Sequence, residues 1–339
     1  MTKILIVAPS WVGDTVMAQP LFKRLHERHA NLALDVLAPA WTLPLLQHMP
    51  EINQAIPNPF LHGELKLRAR YRLGKQLKQR AYDQAIVLPS SFKSALIPFF
   101  AGIPLRTGYI GEGRWGLIND TRRLDKHALP LMVERFVALG ENAGAPLRRP
   151  IPGTALHINE QARRSTLQTL HLATDKPVAA FCIGAEYGPA KRWPAHYFAD
   201  LAKRLAQQGY AVWLIGSAKD TEIGTQIQLQ SGGICVDLCG KTDLSAAIDL
   251  LASSALVVSN DSGLMHVAAA LDKPMLALYG SSSPDFTPPL STKARVISLK
   301  LECSPCFKRV CPLGHFNCMM QLTPERISQE IDQLEAAQD

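Results

Sequence analysis

Short, wholly apolar runs alternate with longer amphipathic ones over most of the chain. Residues 4–8 read as a strand buried on both faces, as in a parallel sheet. A turn through Gly13 follows, then a helix beginning near Asp14 that carries Leu21, Phe22 and Leu25 inward and is expected to bend at Pro20. Further strands are predicted at residues 32–37 and 85–88, with helical stretches between them. Around residues 145–174 the pattern loosens. Pro146, Arg148, Arg149, Pro150, Pro152 and Gly153 mark a linker, and a helix begins near Asn159. The alternation then restarts, with strands at 178–183, 211–215, 255–259 and 275–279. Such alternation predicts an α/β protein of two doubly wound, Rossmann-like domains facing each other across a cleft. The expected boundaries are 1–155 for the first domain and 156–322 for the second. An amphipathic C-terminal helix, opened by Thr323-Pro324-Glu325 within 323–339, is expected to pack back towards the first.

Composition narrows this picture. The 339 residues are 47% hydrophobic and 19% charged, which suits folded domains and argues against a disordered chain. A net charge of +7 points to an anionic partner: nucleotide, nucleic acid, phosphorylated glycolipid or membrane surface. No run approaches the ~20 apolar residues of a membrane span, and no signal-peptide pattern opens the sequence. The expected location is therefore the cytoplasm. Basic residues concentrate in residues 65–80, as Lys66, Arg68, Arg70, Arg72, Lys75, Lys78 and Arg80. They form either a solvated helix face or an anion-facing surface. Cys303, Cys306, Cys311 and Cys318, with His315 among them, are spaced C-x2-C-x4-C-x6-C. That spacing fits a structural zinc knuckle or plain reduced thiols. Both readings stand open here, and no metal is assigned to catalysis.

Three loops of the second half leave the carboxyl ends of predicted strands, where open α/β sheets bind ligands. In Ser259-Asn260-Asp261-Ser262-Gly263-Leu264-Met265-His266 a buried strand turns into a helix start. Unpaired N–H groups and the positive end of the helix dipole suit a phosphate there, and His266 adds a donor. The competing reading is an ordinary N-cap. The loop at 184–194 offers Lys191 and Arg192 to phosphates, and the loop at 216–220 offers Asp220 to ribose hydroxyls. Together the three favour a nucleotide site. In the first half Asp14 follows Gly13 at a strand-to-helix turn. It is either a helix-start residue or, facing a nucleotide cleft, a general base that the helix dipole keeps ionised. The chain lacks G-x-x-x-x-G-K-[ST], which argues against a P-loop NTPase. A literal G-x-G-x-x-G at 111–116 lacks the strand-to-helix setting of a dinucleotide site and is read as a loop.

Taken together, several stretches resemble the ADP-heptose–lipopolysaccharide heptosyltransferases of glycosyltransferase family 9. They are Pro9-Ser10-Trp11-Val12-Gly13-Asp14, the segment 88–96, the loop 184–194, Asn260-Asp261-Ser262-Gly263-Leu264-Met265-His266, and the segment 279–289 that opens Tyr279-Gly280-Ser281-Ser282-Ser283-Pro284. The resemblance implies a GT-B fold. It also implies inverting transfer of L-glycero-D-manno-heptose from ADP-heptose to the first heptose of the lipopolysaccharide inner core (heptosyl-Kdo2-lipid A), with no cofactor and no metal, at the cytoplasmic face of the inner membrane. Position by position, Asp14 matches the catalytic base and Lys191 the lysine that neutralises the diphosphate, with Arg192 beside it. Asp261, Ser262, Gly263 and His266 match the phosphate-binding turn, and Asp220 an acidic ribose contact. Lys66, Arg68, Arg70 and Arg106 are candidates for the anionic groups of the glycolipid acceptor. Oligomeric state is not implied. The rivals are a heptosyltransferase acting on a neighbouring core position, a non-catalytic protein binding nucleotide sugar or nucleic acid, and, third, a dehydrogenase. Nucleic acid is not the expected partner.

Overall fold

The computed structural model describes residues 1–61 and 63–337 and divides into two units, Met1–Thr154 and Ala155–Asp339. In the first, six parallel strands form one sheet: β1 (Thr2–Val7), β2 (Leu32–Pro39), β3 (Gln54–Asn58), β4 (Gln84–Val87), β5 (Leu105–Tyr109) and β6 (Asp120–Arg122). Their order is β3-β2-β1-β4-β5-β6. In the second unit β7 (Val178–Cys182), β8 (Ala211–Ile215), β9 (Cys235–Asp237), β10 (Leu256–Asn260), β11 (Met275–Tyr279) and β12 (Ala294–Ser298) repeat the plan in the order β12-β11-β10-β7-β8-β9. The expected fold class, two doubly wound Rossmann-like units, is what the chain forms.

Each unit has its own core, built from strand residues that helices cover on both faces. Leu5, Val7, Leu37, Ala85 and Val87 are buried in the first, and Phe181, Leu214, Val258 and Leu278 in the second. Full burial of one such leucine or phenylalanine is worth about 1.5–3 kcal/mol. The predicted central strands are found within two residues of their expected ends. Those not predicted are the edge strands β3, β6, β9 and β12 and, just inside β6, β5; each has an exposed position and no long unbroken apolar run. The helix Val12–Arg28 runs through Pro20. Asn159 caps the helix Glu160–Thr169, its side chain accepting from the N–H groups of Gln161 and Ala162. The last helix, Pro324–Ala336, sets Ile327, Ile331 and Leu334 into the core of the second unit. The end of the expected span, residues 338–339, lies outside the described residues. Among the described residues no helix is long and apolar enough to cross a membrane.

Both strand orders reverse direction at one place, between β1 and β4 in the first unit and between β7 and β10 in the second. Loops diverge there at the carboxyl ends of the strands and leave a crevice, the usual ligand position in open α/β sheets. The named donor candidates of the second unit lie on the loops after β7, β8 and β10 or in the first turn of the helix Gly263–Ala270. Asp14 lies in the first turn of the helix that follows β1.

Candidate active site

The second unit builds its site around the turn after β10. Apolar Leu256, Val257 and Val258 are fully buried in the sheet, and the chain passes through Ser259 and Asn260 into the helix Gly263–Ala270. Ser262 occupies the N-cap position in extended conformation, yet its side chain makes no capping bond; its hydroxyl stands 3.4 Å from the Ser259 hydroxyl. The ordinary N-cap reading therefore fails at Ser262, and the first-turn N–H groups keep their capacity for an anion.

Lys191, at the end of the short 3-10 turn Pro189–Lys191, places its Nζ 2.5 Å from Asp261 Oδ2. The pair joins the β7 loop to the β10 turn across the switch point, with side chains 16% and 5% exposed. Lys191 also lies over the Tyr187 ring, 5.1 Å from its centre. His266 follows within the first helical turn, 5% exposed. Burial pushes its pKa down to about 4, with Lys191 adding to the shift and Asp261 opposing it. The ring is therefore neutral near pH 7 and offers an N–H donor without a cation's charge.

Asp220 departs from its expected task. Its Oδ2 accepts from both the N–H (2.9 Å) and the hydroxyl (2.7 Å) of Ser217, closing a capping box, and its Oδ1 lies 3.6 Å from the Arg192 guanidinium. A Cβ on Gly184 would come within 2.5 Å of the same carboxylate, so glycine admits it there. The carboxylate thus braces its own turn and the neighbouring Arg192. Arg192 Nε is buried and has no partner among the described residues.

Sequence reasoning gave no separate role to four contributors. Asn260 is fully buried; its Oδ1 accepts from Trp193 N–H at 3.0 Å and its Nδ2 donates to Ile183 C=O at 2.8 Å. It thus ties both ends of the β7 loop to the β10 turn. Trp193 anchors that loop, its indole N–H donating to Leu322 C=O at 2.7 Å and its ring edge-on to Phe198. Ser281 and Ser282, in the loop after β11, carry buried hydroxyls without partners among the described residues. The sequence signal for the serines was polar residues following an apolar strand on the same sheet edge. Asn260 gave none, because its partners lie 67 and 77 residues away.

In the first unit Asp14 is half-buried beside buried Gly13, one residue before Thr15, whose hydroxyl donates to Trp11 C=O at 2.9 Å. The acceptor candidates divide. Arg70 is buried, donates to the carbonyls of Leu65, Glu64 and Lys93, and stacks on Phe60. Arg106 donates to Leu117 and Ile103 carbonyls and lies over Phe99. Both guanidiniums are thus bonded to carbonyls of their own unit. Lys66 pairs with Glu64 at 2.7 Å on the surface, and Arg68 is exposed on the helix Leu67–Lys78. The stretch 111–116 is a turn segment, as expected. Gly111 lies where a Cβ would strike Ser90 C=O, Gly113 and Gly116 have positive φ, and buried Arg114 donates to the carbonyls of Pro89 and Tyr109.

Comparison with known proteins identifies the family and the fold. The family model of glycosyltransferase family 9 (heptosyltransferase) matches residues 70–317. The chain is 49% identical to lipopolysaccharide heptosyltransferase 2 of Escherichia coli K12 and equally to that of Salmonella typhimurium LT2, with 98% of each chain covered. The solved structure of Escherichia coli ADP-heptose lps heptosyltransferase II superposes with a TM-score of 0.90 at 46% identity, covering 99% of both chains. Escherichia coli heptosyltransferase WaaC with ADP shares the fold, with a TM-score of 0.73 at 21% identity over 98% of this chain and all of that one.

Proposed function

The chain belongs to glycosyltransferase family 9, the heptosyltransferases, and from that premise we propose that it moves L-glycero-D-manno-heptose from ADP-heptose to the first heptose of the lipopolysaccharide inner core. The carrying observation is 49% identity, over 98% of both chains, to a lipopolysaccharide heptosyltransferase 2. The acceptor is then an anionic glycolipid, reached at the cytoplasmic face of the inner membrane. The net charge of +7 and exposed Arg68, Arg72, Lys75 and Lys78 on one helix favour such a surface.

In the proposed step the acceptor oxygen attacks the anomeric carbon and passes its proton to Asp14. The bond from that carbon to the diphosphate breaks and its electron pair leaves with ADP, inverting the centre. The growing phosphate charge is met by Lys191, by the N–H groups at the start of the helix Gly263–Ala270, and by the neutral donor His266. A preorganised donor of this kind is typically worth about 3 kcal/mol in the transition state. Asp261 is an anion, so it serves the diphosphate through Lys191, holding the ammonium in place. Arg192, braced by Asp220, has one buried N–H to spend on the same ligand.

The deciding experiment supplies the purified chain with ADP-heptose and lipid acceptors carrying no heptose, one heptose or two, and follows ADP release and glycolipid mass. Only the one-heptose acceptor should be extended. Extension of the heptose-free acceptor, or no ADP release with any of the three, refutes the assignment.

A further inference from the structure

Residues 299–316 follow β12 without helix or strand and have little apolar interior of their own: Phe307, Val310 and Leu313 are 51%, 60% and 60% exposed. Four cysteines turn inward instead. Cys303, Cys306, Cys311 and Cys318, all half-buried, line one cavity together with Ser281 and His315. The buried Ser281 hydroxyl on the same cavity wall has no partner among the described residues. Sulfur is a weak acceptor as a thiol and a stronger one as a metal-bound thiolate, so a hydroxyl at the cavity wall suits the thiolate better. His315 spends its Nδ1 on the Asn317 N–H at 3.0 Å, which leaves the four sulfurs as the common ligand type.

We propose that Cys303, Cys306, Cys311 and Cys318 bind one zinc ion as a tetrahedral tetrathiolate. Among the described residues no three metal-ligating side chains are already gathered on one point. The ion would draw the sulfurs in, to about 2.3 Å each. Four thiol protons pass to solvent as four Zn–S bonds form, with no change of oxidation state. The resulting negative site lies on a segment that carries Lys308 and Arg309. A loop segment with an exposed apolar complement is the kind of structure that a metal staple holds.

The staple would set one wall of the donor loop. Ala190 N–H donates to Arg309 C=O at 3.0 Å, the Tyr187 hydroxyl to Phe307 C=O at 2.8 Å, and Phe307 N–H to Ser281 C=O at 2.7 Å. A Cβ on Gly188 would come within 2.5 Å of the Arg309 carbonyl. Zinc on the cysteines therefore braces the loop that carries Lys191 without touching substrate.

The chain is purified under reducing conditions without chelator and its metal is measured by elemental mass spectrometry. About one zinc per chain is expected, lost in C306S and in C311S, and replaceable by cobalt with the strong visible absorption of a tetrahedral thiolate site. Because a cysteine variant that misfolds also loses metal, thiol titration of the unaltered chain decides independently. The four thiols should resist modification until a chelator releases the zinc, then react together, with ADP affinity falling at the same point. Three results overturn the proposal: immediate reaction of all four thiols in zinc-reconstituted chain, zinc content unchanged in C306S, or a mass showing two disulfides in the chain as purified. Metal content and thiol reactivity do not depend on which sugar the chain transfers.

Discussion

The Lys191 ammonium faces Asp261 in the ligand-free chain and, in the proposed reaction, the departing diphosphate, so its two duties can be separated by substitution. Lys191→Met keeps the aliphatic stem over Tyr187 but leaves the Asp261 carboxylate buried without its cation. Such a loss typically costs about 3–5 kcal/mol. Adding Asp261→Asn removes the stranded charge, so the double variant should regain most of that stability in urea unfolding. It should not regain turnover, because no cation returns to the phosphate. Donor kcat/KM is expected to stay down by about a hundredfold in both; recovery of turnover in the double variant would show that Lys191 acts only through the fold. Asp14→Asn should abolish transfer while leaving ADP affinity intact, since every donor residue lies in the other unit. Equal loss of both in a calorimetric titration would remove Asp14 from the role of base. His266 gives a pH signature. Its pKa of about 4 in the folded chain lies below the ordinary 6.5, so between those values the unfolded chain binds more protons. Stability from this group is complete above about pH 6.5 and drains away as pH falls towards 4, by on the order of 3 kcal/mol at most. Urea unfolding at neutral and mildly acid pH, compared between the unaltered chain and His266→Gln, reads the difference. Parallel losses in the two proteins would assign the acid sensitivity elsewhere.

At the level of elements, the β7 loop is held at both ends by one side chain of the β10 turn. Asn260→Ala would leave the Trp193 N–H and the Ile183 carbonyl without their partner inside the protein. Each orphaned group costs about 1–3 kcal/mol, and the loop is freed to swing Lys191 away from the helix start. The expected result is a lower melting temperature together with weaker ADP binding. Lowered stability with unchanged ADP affinity would make Asn260 a core residue and nothing more. The same elements show which parts of the molecule were legible in advance. Central strands such as β1, β7 and β11 announce themselves because burial on both faces demands an unbroken apolar run. Outer strands such as β6 (Asp-Thr-Arg) and β9 (Cys-Val-Asp) owe their state to a neighbour's free edge, which composition does not record. Arg70 and Arg106 looked like surface cations because a guanidinium's choice between solvent and backbone carbonyls depends on which loops fold over it. Asp220 looked like a ribose ligand for the corresponding reason. Its partners are three residues back and one loop away, and only the folded turn shows the carboxylate bracing Ser217 and Arg192.

For the molecule as a whole, the two strand orders are the same, and the chemistry is divided between them. The residues proposed for the donor, Lys191, Arg192, Ser262, Gly263 and His266, all lie within Ala155–Asp339, whereas Asp14 belongs to Met1–Thr154. Each group sits at the switch point of its own sheet, so the repeated architecture, more than any single motif, explains why both places can hold a ligand. Length and alternation were enough to anticipate the repeat. They could not show how the polar groups share their hydrogen bonds at the second switch point. The division has a measurable consequence. ADP alone should protect amide hydrogens in the loops at 184–194 and 260–266, because its phosphates bind those N–H groups and hold Lys191 in place. At about 100 times its Kd it should stabilise the second unit by ~2.7 kcal/mol, the mass-action value for a ligand bound only by the native state. The loop at 8–14 should exchange at its ligand-free rate under the same conditions and slow only when acceptor glycolipid is added. Protection by ADP spread equally over both units would mean that donor binding is shared, and Asp14 would then have to be reconsidered as a donor contact.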